Sequence, residues 1–212
     1  KWSNLYMNLK LWGAGTVRTL RPIWMAEELG LDYKLFPIGP RTGETRTEEF
    51  SLLNPKQKIP LMEDGDFVLS ESLSICRYLQ NKYPSDSMPL PSTKEERAKE
   101  DEWCNYIYGE MDETALYVMR RHYDLIEIYG ESPIVVKACR EYLDKHLKVV
   151  DKHLEDNETI LEMGFGIADI MLVSCLDWAK FYKFDLPKIT MDYHNRMVNR
   201  SNYLKARDIN YA

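Results

Sequence analysis

Two short stretches carry residue types suited to recognising a small peptide. In Gln57-Lys58-Ile59-Pro60 a basic side chain directly precedes an X-Pro step. A cis bond is accessible there, because proline lowers its cost to roughly 0.5–1 kcal/mol. A cis-proline loop turns the N–H and C=O of Ile59 outward, free to pair with an extended peptide as a strand would. An ordinary edge-strand proline fits the local sequence equally well.

About ten residues later comes Ser70-Glu71-Ser72, ahead of an apolar-periodic run. A helix N-terminus offers unpaired N–H groups and partial positive charge to a carboxylate, with the Ser72 hydroxyl as a further donor. Glu71 could bind an ammonium. Together they suit the α-amino-acid end of a small peptide, and Lys58 and Gln57 could hold a second carboxylate about one extended tripeptide away. The plain alternative makes Ser70 an N-cap and Glu71 a favourable charge on the helix dipole.

The elements that must position these groups read as alternating strands and helices. Leu9–Trp12 is a buried strand ended by Gly13-Ala14-Gly15. Leu20–Leu29 has helical spacing, with Gly30 as its stop and Thr19 as its natural N-cap. Pro22 lacks an N–H and belongs in the first turn, which leaves Thr16 in the preceding loop. Tyr33–Phe36 is a second strand, parallel to the first after a right-handed crossover. A polar loop over 37–49, a helical turn at Glu48–Leu53 and a hairpin closed by Asp64-Gly65 follow. The next helix runs from Ser72 to about Lys82.

Beyond Pro84 the pattern changes. Residues 1–84 form a βαβ-ββα unit, 85–93 are a Ser- and Pro-rich linker, and 94–212 read as all helix: about 94–122, 133–155, 166–182, 189–199 and 202–207. The fold class is therefore α/β plus all-α. With 212 residues the chain can bury a sizeable core, and 44% hydrophobic with 29% charged residues is ordinary globular composition. A net charge of −6 gives no positive field for nucleic acid. Mean hydropathy is −0.46 and no run approaches a membrane span, so no membrane partner is expected. Lys1-Trp2-Ser3-Asn4 carries no charged-then-apolar leader, and four scattered cysteines (Cys76, Cys104, Cys139, Cys175) suit a reducing cytoplasm and buried packing more than zinc or disulfides. His122, His146, His153 and His194 lie among charged residues and read as surface, as do Glu95-Glu96 and Glu100-Asp101-Glu102.

Asn54-Pro55-Lys56-Gln57-Lys58-Ile59-Pro60 followed by Glu71-Ser72-Leu73-Ser74-Ile75-Cys76-Arg77-Tyr78-Leu79 resembles the glutathione-binding signature of cytosolic glutathione transferases. Gly166-Ile167-Ala168-Asp169-Ile170 resembles that family's capping box, and Tyr193–Met197 with Asn199-Arg200 its C-terminal helix. The similarity covers nearly the whole chain. Two positions depart from the pattern. Gly166 stands where Ser or Thr usually supplies the cap, a loss of a few tenths of a kcal/mol. Ser201 replaces a common proline.

The resemblance implies a thioredoxin-like domain binding glutathione as co-substrate, with no metal, through Gln57, Lys58, Ile59, Pro60, Glu71 and Ser72. It also implies a helical domain that supplies an electrophile site. The family's chemistry favours the thiolate of bound glutathione, the actual nucleophile. Trp12 stands where tyrosine-type classes have their donor, and its position suits packing. Thr16 aligns with the hydroxyl of the serine-type theta, delta and phi classes, so the chain resembles a bacterial-like serine/threonine-type member. Thr16 is the expected donor and Arg18 a further electrostatic stabiliser; loop capping by Thr16 and a solvent-facing Arg18 are the plainer roles. The electrophile is expected against the helix from Lys94, at Cys104, Tyr108 and Met111, spaced i, i+4 and i+7. That helix also carries Trp103, Tyr106, Tyr117 and Met119, most of which must be core or dimer contacts.

The function implied is conjugation of glutathione to a hydrophobic electrophile, a detoxifying reaction, by a cytoplasmic two-fold homodimer. Glutathione-dependent reduction of peroxides or disulfides, and glutathione binding without turnover, are the alternatives. No cysteine lies in the loop before the first helix, which disfavours thiol transfer through the protein.

Overall fold

A computed structural model describes residues 8–212; the reading made at Lys1–Asn4 lies outside them. The chain divides into two compact units. One gathers the chain up to Leu90 together with Val198–Ala212, and the other holds Pro91–Met197.

In the first unit, β1 (Leu9–Trp12), β2 (Lys34–Phe36), β3 (Leu61–Asp64) and β4 (Phe67–Ser70) form a sheet of order β2-β1-β3-β4. β2 runs parallel to β1, with Leu11 opposite Leu35, while β3 is antiparallel to both β1 and β4. Gly65 closes the β3–β4 hairpin at φ +61°, the left-handed geometry that the Asp-Gly pair supplies. The strand pleat sends Leu9 and Leu11 to one face and Trp12 to the other. There Trp12 stacks on Phe36 at 4.0 Å and packs with Leu61 and with Phe50 of α2 (Glu48–Leu53). α1 (Val17–Glu28) and α3 (Ser72–Lys82) complete the expected thioredoxin-like order.

Three local expectations change. The N-cap of α1 is Thr16, with Thr19 three residues inside, and Pro22 is the sixth helical residue, where the helix forgoes one i→i−4 bond. Ser70 ends β4, and Glu71 occupies the N-cap of α3 without a side-chain capping bond. The segment read as a short helix over 202–207 is α10 (Ser201–Asn210), and it packs along α1 in the first unit, not with the helices from 94. Its anchor is Glu28, whose buried carboxylate accepts from Arg200 Nε at 2.9 Å, Arg200 Nη2 at 3.0 Å, Asn202 Nδ2 at 3.1 Å and Trp24 Nε1 at 2.9 Å. Tyr203 meets Trp24 edge-on at 4.9 Å.

The second unit is helical. α4 (Lys94–Tyr106) continues through a π-helical stretch, Ile107–Tyr117, into α5 (Val118–Tyr123); α6 (Ile126–Tyr129), α7 (Pro133–Leu154), α8 (Ile167–Phe181) and α9 (Lys188–Val198) follow. α8 is buried along most of its length, so it is the core of this unit. Asp169 holds its start, accepting from the N–H groups of Gly166 (2.9 Å) and Ile160 (3.0 Å) and from the Tyr193 hydroxyl (2.7 Å).

The four cysteines are free and buried, as expected. His146 and His194 are not surface residues. His146 is 6% exposed and bonds the Tyr106 hydroxyl through Nδ1 at 2.7 Å; burial pushes its pKa below the ordinary histidine value. His194 is 3% exposed and lies 2.7 Å from Asp177. Glu100, read as part of a solvated face, is fully buried.

Candidate active site

The first unit brings the β1–α1 turn, the loop before β3 and the start of α3 together. Gly13 marks the closest approach. A Cβ at this position would stand 2.6 Å from Ile59 Cβ and 2.8 Å from Thr19 Cγ2, and its φ of +110° is itself disfavoured for an L side chain. Glycine therefore lets the α1 N-terminus close on the Ile59-Pro60 loop. The Ile59–Pro60 bond is cis. Ile59 is half-buried and lies just ahead of the ladder, which opens with Leu61 opposite both Trp12 and Ser70.

Thr16 and Thr19 cap each other. The Thr19 N–H donates to Thr16 Oγ1 at 3.0 Å, the Thr16 N–H donates to Thr19 Oγ1 at 3.0 Å, and the two hydroxyl oxygens are 3.1 Å apart. Thr16 thus fills the capping role considered for it, and does so half-buried at the helix N-terminus. A hydroxyl that accepts one N–H still has a proton to give. Arg18 is also half-buried, on the first turn of α1.

At α3, Ser72 is buried and its Oγ accepts from Arg21 Nη1 at 3.2 Å. Glu71 is exposed and holds φ +74°, in the positive-φ region that favours glycine, with its carboxylate 2.6 Å from the Lys56 ammonium. Gln57, at φ +53°, donates to Ser51 Oγ at 3.1 Å, and the exposed Lys58 accepts the Asn54 side-chain amide on its carbonyl at 2.8 Å. Asn54 thereby shapes the loop that presents Gln57 and Lys58.

Arg21 was not singled out by sequence. It is fully buried, yet it sits in the apolar-periodic run Leu20–Leu29, and a charge on that face was the available signal. It ties α1 to the first residue of α3, so it sets the distance between the Thr16 turn and the Ser72 hydroxyl.

The expected electrophile trio does not share a surface. Cys104 and Met111 are fully buried core residues of the helical unit, and only Tyr108 is half-buried. Their i, i+4, i+7 spacing turned two of them into the core. Trp103 and Tyr106, by contrast, line a cavity of about 680 Å³ with Val149, His153 and Leu161. Among the described residues no group of three or more His, Cys, Asp or Glu side chains could hold a metal ion. No helix among them is long and apolar enough to cross a membrane.

The family described as Glutathione S-transferase, N-terminal domain matches residues 7–81, and Glutathione S-transferase, C-terminal domain matches 109–201. Glutathione S-transferase 3 of Zea mays is 30% identical over 168 residues, covering 76% of this chain and 73% of its own length. Glutathione S-transferase theta-1 of Bos taurus is 27% identical over 152 residues, covering 70% of this chain and 63% of its own length. The theta class glutathione S-transferase from the citrus canker pathogen Xanthomonas axonopodis pv. citri, solved with glutathione bound, superposes with a TM-score of 0.82 at 23% identity over 96% of this chain and 99% of that one. The glutathione transferase URE2P8 from Phanerochaete chrysosporium, solved with oxidized glutathione, has a TM-score of 0.84 at 21% identity, with 95% and 94% covered. At these identities the solved structures speak for the fold.

Proposed function

This chain belongs to the glutathione S-transferase family, and we propose that it is a serine/threonine-type glutathione transferase that adds glutathione to a hydrophobic electrophile. In this reading glutathione lies along the loop at Ile59 in the first unit, pairing with its backbone as an added strand. Ser72 and the α3 N-terminus take the γ-glutamyl carboxylate, and Glu71 takes its ammonium. Gln57 and Lys58 meet the carboxylate at the far end. The thiol sulfur then reaches the β1–α1 turn, where the Thr16 hydroxyl donates to the thiolate and lowers its pKa. The thiolate attacks the electrophilic carbon, forming the C–S bond as the leaving group departs or a double bond accepts the electron pair.

The observation that carries this reading is the Thr16–Thr19 pair: it fixes the Thr16 oxygen at a helix N-terminus, where one of its two lone pairs accepts the Thr19 N–H. Conjugation is favoured over a route through a protein thiol, because all four cysteines are buried and burial pushes the Cys139 thiol up. The free thiols also fit a reducing, cytoplasmic setting. The test is glutathione-dependent turnover against a panel of electrophiles, peroxides and disulfides. Conjugation with Thr16-dependent rates supports the reading, and turnover confined to peroxides or disulfides replaces it with a reductase.

A further inference from the structure

The last residue of α10, Asn210, is 1% exposed and touches the Thr16 turn at three points. Its backbone carbonyl accepts the Gly15 N–H at 2.7 Å. Its Nδ2 donates to the Thr16 carbonyl at 3.0 Å, and its Oδ1 accepts the Thr19 hydroxyl at 2.7 Å. The two side-chain contacts span 194 and 191 positions of sequence, and the turn they meet is the one that carries the donor hydroxyl.

Counting protons gives the contacts a direction. The Thr16 carbonyl takes the Leu20 N–H at 3.1 Å as well as the Asn210 amide, which fills its two lone pairs. The single proton of the Thr19 hydroxyl, 2.9 Å from that filled carbonyl, goes to the closer Asn210 Oδ1. Thr19 Oγ1 then serves as acceptor for the Thr16 N–H, and Thr16 Oγ1 accepts the Thr19 N–H. One hydroxyl proton remains in the ring, that of Thr16. With the Thr19 proton on Asn210, it donates to the second lone pair of Thr19 Oγ1 at 3.1 Å, long for an O–H···O bond, and a thiolate is the stronger acceptor for it.

We propose that Asn210 is a positioning residue for thiolate stabilisation, holding the Thr16–Thr19 pair so that the Thr16 proton is the one available to glutathione. The helix that carries Asn210 is fixed to α1 by Arg200 and Asn202 on Glu28 and by Lys205 on Glu27 at 2.5 Å. Thr19 in turn is wedged against Gly13, so a shift at Asn210 passes directly to the turn facing Ile59. The proposal rests on the assignment of thiolate donation to Thr16.

The experiment titrates the ultraviolet thiolate absorbance of glutathione bound to the full chain, in wild type, Thr16→Val, Asn210→Ala and the double variant. Calorimetric glutathione affinity and a melting curve accompany each. Asn210→Ala is expected to raise the bound thiol pKa by roughly 0.3–1 unit, the range of one neutral hydrogen bond, with affinity within about twofold of wild type. The double variant is expected to match Thr16→Val alone. Asn210→Ser serves the same comparison if the alanine variant does not fold. A folded Asn210 variant with an unshifted pKa, beside a Thr16→Val that raises it, overturns the Asn210 role only, and so does a double variant whose shifts add. A Thr16→Val that leaves the pKa unchanged overturns the Thr16 assignment and this proposal together.

Discussion

The Lys56 ammonium lies 2.6 Å from the Glu71 carboxylate, so the group assigned to a ligand's ammonium already holds one of the same chemistry. Both side chains are about half exposed, and such a pair contributes on the order of 0–1 kcal/mol. An incoming glutathione can therefore displace Lys56 at little cost. Glu71→Ala and Ser72→Ala are each expected to weaken glutathione binding more than tenfold, the loss of a charge-assisted bond at about 1.5–3 kcal/mol. Lys56→Ala is expected to leave affinity within about twofold or tighten it. Calorimetric titration decides, and unchanged affinity in both Glu71→Ala and Ser72→Ala contradicts the placement.

The backbone at Glu71 adds a separable expectation. Its φ of +74° is strained for any side chain, at a cost of about 1–3 kcal/mol. Glu71→Gly is expected to melt higher than Glu71→Ala, while both lose glutathione affinity. Equal melting temperatures would show that the strain is not stored there.

Gly166 caps α8 with its backbone alone, although its extended backbone accepts any residue. A Cβ there would meet only Gly164 O at 3.9 Å and Glu100 Oε2 at 4.0 Å, ordinary contact distances. Gly166→Ser restores the missing side-chain acceptor and removes a flexible glycine from the unfolded chain. It is expected to stabilise by about 0.5–1 kcal/mol. Denaturant unfolding at constant slope checks it; destabilisation would mean that the hydroxyl does not reach the Asp169 N–H.

Glu28 gives the protein an acid-sensitive latch. Burial alone would raise its pKa, but the bonds from Arg200, Asn202 and Trp24 outweigh burial and hold it below the ordinary 4.5. A depressed folded pKa means that the stabilisation is complete above about 4.5 and is lost as pH falls through the folded value. Glu28→Gln is expected to cost about 1.5–3 kcal/mol at neutral pH, with the gap to wild type closing below that point. A gap independent of pH in melting curves contradicts the assignment.

Much of this was legible in the sequence because local chemistry decides it. Asp64-Gly65 sets its hairpin, the apolar alternation of Leu9–Trp12 sets its burial, and Ile59-Pro60 marks the loop. Positions decided by distant partners were not legible. Nothing in Ser201–Asn210 names α1 as its partner, so its place in the first unit and the role of Asn210 emerge only from the fold. His146 falls on the apolar stripe of Leu143, Leu147, Val150 and Leu154, a signal that its charged neighbours in sequence mask. The electrophile trio failed for the converse reason, since helical spacing alone does not distinguish a cleft face from a core face.

A two-fold homodimer is the expected assembly. Leu52 and Phe67 in the first unit, and separately Ile134 and Phe181 in the second, expose large apolar side chains, and closed two-fold symmetry is the commonest assembly. Sedimentation at micromolar concentration is expected to give twice 25.0 kDa, and a mass near 25.0 kDa contradicts the dimer.

The account depends most on the Thr16 hydroxyl, and the pKa of the bound thiol reads it directly. The free thiol titrates near about 8.5, and one neutral donor lowers it by up to about one unit, with the α1 N-terminus adding positive potential. Thr16→Val keeps the side chain's shape and removes the donor. Glutathione should bind Thr16→Val nearly as before, while its thiolate absorbance titrates at higher pH and turnover near neutral pH falls in proportion. An unshifted thiol pKa in Thr16→Val, with a raised one in Arg18→Ala, would contradict the account and transfer the role to Arg18.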